Sequence, residues 1–195
     1  MSFKEINKIV GNADLYLIDQ ILKGRFSEGA LILDLGCGEG RNLSYFLQNQ
    51  YQVLGIDHDP MAIKLAQLWA KKLQPDRNRY QFIPAEIQEL NEYVRPNSID
   101  VALAINVLQW LPDYSTLKKV WDDLTVSLKA GGLLIVRITL GAGSENQNKA
   151  GSYKPEKDEM LKLVGNSNFQ HLEPPLYLFR EHLSAELVLI LEKQT

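Results

Sequence analysis

The chain predicts an α/β fold: a doubly wound, mostly parallel seven-stranded sheet whose last two strands form an antiparallel hairpin. Three observations point there. Short apolar runs alternate with stretches of helical periodicity between residues 30 and 138, the pattern of strand–helix–strand units that make neighbouring strands parallel. The first apolar run, Leu31-Ile32-Leu33-Asp34-Leu35, breaks into the alternate glycines of Gly36-Cys37-Gly38-Glu39-Gly40, and the second ends on Gly55-Ile56-Asp57. The last two runs, 169–179 and 185–192, are separated by one short connection, which suits antiparallel partners.

Taken in order, Asn12 is expected to cap a first helix with Leu15, Ile18 and Leu22 on one face. Residues 30–35 read as a buried strand, 41–48 as a helix and 52–56 as a second strand. Asp59-Pro60 supplies a cap and a first-turn proline for the next helix. Its apolar stripe is expected at Ala62, Leu65, Ala66, Trp69 and Leu73. The alternation continues through strand 79–84, a short turn or helix near 87–92, strand 99–104, helix 114–128 and strand 133–138. Leu117, Val120, Trp121, Leu124 and Leu128 form the buried stripe of that helix. From Gly141 to Ser152 the chain turns polar and glycine-rich, a loop that could close as a lid over a site. Lys154-Pro155 is expected to open the final helix.

A length of 195 residues suits a single domain over 1–195. A net charge of −3 gives no reason to expect a nucleic-acid surface. Lys71, Lys72, Arg77 and Arg79 cluster at a helix end and read as a solvated face. One cysteine permits no internal disulfide and suits a reducing cytoplasm. The first residues lack the apolar core of a signal peptide, and no run approaches the ~20 apolar residues that span a bilayer. A cytoplasmic location with neither a nucleic-acid nor a membrane partner is therefore expected.

The chemistry concentrates at the strand ends. Glycines at 36 and 38 let backbone turn tightly and approach a ligand, which a Cβ would prevent. Asp57 ends the second strand, where a ribose diol needs an acceptor. A dinucleotide turn reads G-x-G-x-x-G and receives a pyrophosphate; here the pattern is G-x-G-x-G, and Arg41 holds the third glycine's place. Glu39 and Asp34 add negative charge where that phosphate would arrive. The set fits a nucleoside ligand that carries an ammonium and no phosphate, and S-adenosylmethionine is such a ligand.

The residues Leu33-Asp34-Leu35-Gly36-Cys37-Gly38-Glu39-Gly40, Gly55-Ile56-Asp57, Ala85-Glu86-Ile87, 98–108 and 128–136 together resemble the class I S-adenosylmethionine-dependent methyltransferases, a likeness covering about residues 30–139. Gly38-Glu39-Gly40-Arg41-Asn42 also looks like the tellurite/thiopurine branch. The resemblance implies a Rossmann-like fold and a cofactor site at the carboxyl ends of the strands. It assigns Asp57 to the ribose hydroxyls, with His58 beside the ribose or solvated. Glu86 takes the position of the adenine amino group's partner, where aspartate is commoner, and the Ile87 amide that of the ring nitrogen's. Gly36, Cys37, Gly38 and Asn42 form the turn that borders the cofactor, while Gly40 serves close packing. Asp34 balances the ammonium or bonds loop amides. Asn106 borders the methionine portion or is a turn-forming asparagine. Cys37 has no local histidine partner and is not expected to be a nucleophile, and no metal site is expected. Trp110 walls an acceptor pocket or belongs to the core. Arg180 and His182 are either acceptor-site groups or an exposed turn. The expected reaction is in-line transfer of a methyl group from S-adenosylmethionine to a small-molecule acceptor, with little chain left over for a domain gripping a macromolecule. The alternatives are a non-catalytic S-adenosylmethionine-binding subunit and, behind it, an NAD(P)-dependent oxidoreductase.

Overall fold

The computed structural model describes residues 12–141, 152–179 and 185–195. The glycines Gly143 and Gly151 of the expected lid, and the pair Arg180 and His182, lie outside the described residues. The chain divides into two compact units, Met1–Ile87 and Gln88–Thr195.

The first unit is built on three parallel strands: β1 (Leu31–Leu35), β2 (Gln52–Asp57) and β3 (Tyr80–Pro84). β2 lies between the other two, with Asp34 level with Gly55 and Asp57 level with Pro84. Helix α1 spans Leu15–Leu22 and is capped by Asp14, whose carboxylate accepts the Tyr16 N–H, so the cap is not Asn12. The buried face of α1 also differs from the expected one. Leu17 and Gln20 are buried while Leu15 and Leu22 stand in solvent. After the glycine turn a 3-10 turn (Arg41–Leu43) leads into the short helix α2 (Ser44–Gln48). Helix α3 (Pro60–Leu73) begins as expected, with Asp59 accepting the Met61 N–H and Pro60 in the first turn. Its buried residues are Ile63, Ala66 and Ala70, a stripe one turn-position away from the predicted one. Small alanines fit where helix and glycine turn meet: a Cβ on Gly40 would lie 3.5 Å from that of Ala66. Leu65 is consequently turned outward, and Trp69 is part-exposed with its indole N–H donating to Ser44 Oγ at 3.1 Å.

The second unit opens with α4 (Leu90–Tyr93) and β4 (Ile99–Ile105), which pairs in parallel with β5 (Leu128–Thr139). Helix α5 (Tyr114–Ser127) joins them and buries Leu117, Val120, Trp121 and Leu124, as the periodicity predicts, while Leu128, expected in the same stripe, opens β5 instead. Trp121 anchors the unit: its indole N–H donates to Ser167 Oγ at 2.7 Å and its ring meets Phe169 edge-on. The last helix, α6 (Lys157–Gly165), starts three residues later than Lys154, where Glu156 and Glu159 form a reciprocal capping box. The run 169–179 is not one strand. It splits at Pro174-Pro175 into β6 (Phe169–His171) and β7 (Leu176–Leu178), since proline cannot donate to a ladder. Both pair antiparallel with β8 (Glu186–Lys193), which pairs antiparallel with β5. The described residues thus hold eight strands instead of seven, with the α/β class, the parallel pairs and the antiparallel C-terminal strands as predicted.

Candidate functional site

Within the first unit the sequence-singled residues converge on the carboxyl ends of β1 and β2. Gly36 and Cys37 both donate backbone N–H to the Ile56 carbonyl, at 2.8 and 3.1 Å. This folds the glycine turn back over the end of β2. Gly36, Gly38 and Gly40 all have positive φ, a conformation glycine adopts without a steric penalty. At Gly38 a Cβ would meet nothing within 4 Å, so open space borders the backbone there.

Asp57 closes β2 with a buried carboxylate held by the backbone around it. Its Oδ2 accepts the Gly38 N–H at 2.8 Å and its Oδ1 the Asp59 N–H at 3.0 Å. A carboxylate offers about four lone-pair sites, so Asp57 retains capacity for two further donors. Capping of α3 falls to Asp59, as the sequence suggests. His58 is 73% exposed at the side chain, with Nδ1 3.5 Å from Asp57 Oδ1.

Asp34 differs. It is 1% exposed and its Oδ2 has no hydrogen-bond partner. Burial pushes the Asp34 carboxyl up to about 8, against the opposing charge of Arg41 and with help from Asp57. Burial also drives the Cys37 thiol far above its usual range, reinforced by the charges of Asp34 and Asp57. A thiol so held is protonated and inert. Its Sγ faces the Gly38 carbonyl at 3.6 Å.

Asn42 has a supporting position: its buried Oδ1 accepts the Asp14 N–H at 3.0 Å, tying the start of α1 to the glycine turn. Beyond β3, the Ala85 N–H donates to the Asp57 carbonyl. Glu86 is exposed there and Ile87 buried. In the second unit Asn106 follows β4 with φ 57°, and its N–H donates to the Arg137 carbonyl at 2.7 Å. That is the turn-forming use of asparagine, at a strand end as predicted. Trp110 is 67% exposed and so is no core residue. Among the described residues no group of three or more His, Cys, Asp or Glu side chains could hold a metal ion.

Two features escaped the sequence reading. Gly55 sits mid-strand in β2, where a Cβ would lie 2.6 Å from the Phe82 ring and 2.8 Å from Cys37 Sγ. The glycine turn therefore rests on a surface that only glycine provides; a glycine inside a strand pattern is the available signal. Gln109 is buried with its Oε1 unpartnered, which no pattern marks.

Comparison with known proteins gives this geometry a context. A family model described as a methyltransferase domain matches residues 33–134. A trans-aconitate 2-methyltransferase of Deinococcus radiodurans is 34% identical over 112 residues, 56% of this chain and 38% of that protein. A protein-lysine N-methyltransferase of Saccharomyces cerevisiae is 29% identical over 164 residues, 80% of this chain and 65% of that protein. The chain thus spans well under half the length of the first relative and about two thirds of the second. Magnesium protoporphyrin IX methyltransferase of Synechocystis, solved with bound S-adenosylhomocysteine, superposes with a TM-score of 0.72 at 16% identity, covering 100% of this chain and 89% of that one. At such identity the likeness speaks for the fold. The chain belongs to the methyltransferase-domain family, and its fold is that of the class I S-adenosylmethionine-dependent methyltransferases.

Proposed function

We propose that residues 1–195 act as one methyltransferase domain that moves a methyl group from S-adenosylmethionine to a small-molecule nucleophile. One observation carries the reading: Asp57, fixed by two backbone amides, keeps two acceptor sites free beside the open space at Gly38. A ribose diol brings two O–H donors that match those sites. The unpartnered oxygen of Asp34 suits an ammonium group.

When bound, S-adenosylmethionine supplies a methyl carbon already made electrophilic by the sulfonium, so no covalent intermediate on the protein is needed. The work of the chain's residues is binding, alignment and exclusion of water. Asp57 holds the ribose, with His58 alongside. The Ile87 amide and Glu86 serve the adenine, the longer glutamate reaching from an exposed position. Asp34 balances the ammonium, Gly36 to Gly38 give the close backbone approach, and Asn42 holds the turn through Asp14. The family resemblance assigns Asn106 to the methionine end. Cys37 takes no chemical part, since its thiol stays protonated.

The trans-aconitate relative supports a small acceptor, and the protein-lysine relative supplies the rival. The test is formation of S-adenosylhomocysteine from S-adenosylmethionine across a panel of small carboxylic acids, phenols and amines, run beside a lysine-containing protein extract. Turnover with a small molecule is the expected result. Turnover only with the extract would move the acceptor to the lysine class. Tight cofactor binding by calorimetry without any turnover would make the chain a non-catalytic binding subunit. Binding of NAD(P) in place of S-adenosylmethionine would discard the reading.

A further inference from the structure

The outer face of α3 has a composition that its role in the fold does not explain. The helix buries Ile63, Ala66 and Ala70, and on its solvent side Met61, Leu65 and Leu68 are 61%, 41% and 59% exposed; beside them Trp69 is 42% exposed, with its indole N–H donating to Ser44 Oγ at 3.1 Å. Residues 61, 65 and 68 follow the i, i+4, i+7 spacing of a single stripe, which here points away from the protein. Exposed apolar side chains occur singly on most surfaces, but a continuous stripe marks a contact.

The charges beside the stripe say what kind. Residues 64–79 hold five cations, Lys64, Lys71, Lys72, Arg77 and Arg79, against one acid, Asp76, in a chain whose net charge is −3. Helix α3 carries no acid at all. Arg79 is engaged by Asp76 and the Gln50 carbonyl, and Lys72 lies over the Trp69 ring at 5.2 Å. Lys64, Lys71 and Arg77 have no acidic partner among the described residues, and with Leu68 and Phe82 they line a cleft of about 530 Å³. An anionic group seated there would meet three cations beside the apolar side chains of Leu68 and Phe82, with Gln67, Tyr80 and Gln81 completing the lining.

We propose that this face of α3 docks on an anionic phospholipid surface, with Met61, Leu65 and Leu68 entering the interface, the exposed edge of the Ser44-bound Trp69 beside them, and Lys64, Lys71 and Arg77 taking headgroup phosphates. A second copy of the chain is a poor occupant, since it would bring the same cations face to face. The exposed apolar residues along α3 and the cleft beside them are covered together by a deformable planar interface. Exposed leucine and tryptophan beside lysine is the composition of helices that lie in a membrane surface. The sequence expectation of no membrane partner rested on the lack of a spanning run, and among the described residues no helix is long and apolar enough to cross a membrane. A surface-lying helix needs no such run.

Co-sedimentation of the full chain tests this, using vesicles of phosphatidylcholine mixed with phosphatidylglycerol against vesicles of phosphatidylcholine alone. Binding is expected only to the anionic vesicles, and weakened by salt. Lys64→Gln and Lys71→Gln should each reduce it by about fivefold, the share of one cation near an anionic surface. Leu65→Ser with Leu68→Ser should reduce it further, with circular dichroism unchanged because both positions are exposed. Trp69 emission should shift to the blue on binding in a Trp110→Phe background, which removes the other exposed indole. No binding to anionic vesicles, or equal binding to both kinds, would overturn the proposal. So would binding to polyglutamate that competes with vesicles and is lost in the leucine variants, which would reassign the face to an acidic polypeptide.

Discussion

The ends of β1 and β2 are adjacent in the sheet and each carries a buried aspartate, yet the two acids are in opposite states. Asp57 is the last residue of β2, where the chain leaves the ladder, and its oxygens take one N–H from Gly38 in the turn after β1 and one from Asp59 in the turn after β2. Asp34 lies one residue inside β1, level with Gly55 in the neighbouring strand. Backbone amides there are consumed by the ladder, and Oδ2 is left without a donor. One residue of displacement along a strand separates a satisfied carboxylate from one that burial holds toward its neutral form. An acid at a strand end can be stable before its ligand arrives, whereas an acid just inside the end depends on that ligand for its partner.

Removing the satisfied acid should have the largest effect on binding. Asp57→Ala deletes an acceptor set for the ribose, and hydrogen bonds to charged groups are worth about 1.5–3 kcal/mol each. At least a tenfold loss of S-adenosylmethionine affinity by calorimetry is expected, with the fold retained. A folded variant with unchanged affinity would end the assignment of Asp57 to the ribose.

The support under the turn should rank next. Gly55→Ala places a methyl within 2.8 Å of both the Phe82 ring and Cys37 Sγ, and overpacking of this kind costs about 1–3 kcal/mol. Thermal melting should fall by several degrees. Adding Phe82→Leu should recover part of the loss, by making room on one side. If it recovers nothing, the clash is not with Phe82.

Much of this region was legible in the sequence because its determinants are local. Alternating glycines, a strand-end acid and Asp59-Pro60 announce a turn, a carboxylate and a helix start, and those are where the structure puts them. The misread parts depend on tertiary partners. The stripe of α3 keeps Ala66, which faces Gly40, but is completed by Ile63 and Ala70 instead of Leu65 and Trp69, and no periodicity within the helix reveals the neighbour that decides this. The cap of α1 moves from Asn12 to Asp14, where Asn42 receives the Asp14 amide from 28 residues away. The run 169–179 looked like one strand because its apolar residues continue on both sides of Pro174-Pro175. The unpaired oxygens of Asp34 and Gln109 are properties of burial, which the sequence hints at only through the apolar residues around them.

The unsatisfied acid gives a signature in pH. The Asp34 pKa is raised in the folded protein, so between about 4 and about 8 the unfolded chain releases a proton that the folded chain keeps. Stability from this group is therefore lost as pH rises across that window. Asp34→Asn keeps the shape without the charge, so its melting temperature should gain on the native protein from pH 4 to pH 8 and match it below. An ammonium ligand favours the ionised acid, so native affinity for S-adenosylmethionine should rise over the same window and be flatter in the variant. A variant less stable than the native protein at pH 8 would mean that Asp34 is ionised and partnered in the fold.

The smallest expected effect on stability, and the sharpest division between turn and contact, is at Gly38. Its φ of 53° strains any residue with a Cβ, yet a Cβ there would touch nothing in the protein within 4 Å. Gly38→Ala should thus cost only the backbone term, about 1–2 kcal/mol. Asparagine tolerates this conformation better than alanine, so Gly38→Asn should melt closer to the native protein while filling more of the open space. If that space receives the cofactor, the two properties separate: the asparagine variant is the more stable and the weaker binder of S-adenosylmethionine. If affinity instead follows stability, with the asparagine variant the better binder, the glycine serves the turn alone. The Asp57 carboxylate would then meet its ligand without the close backbone approach proposed beside it.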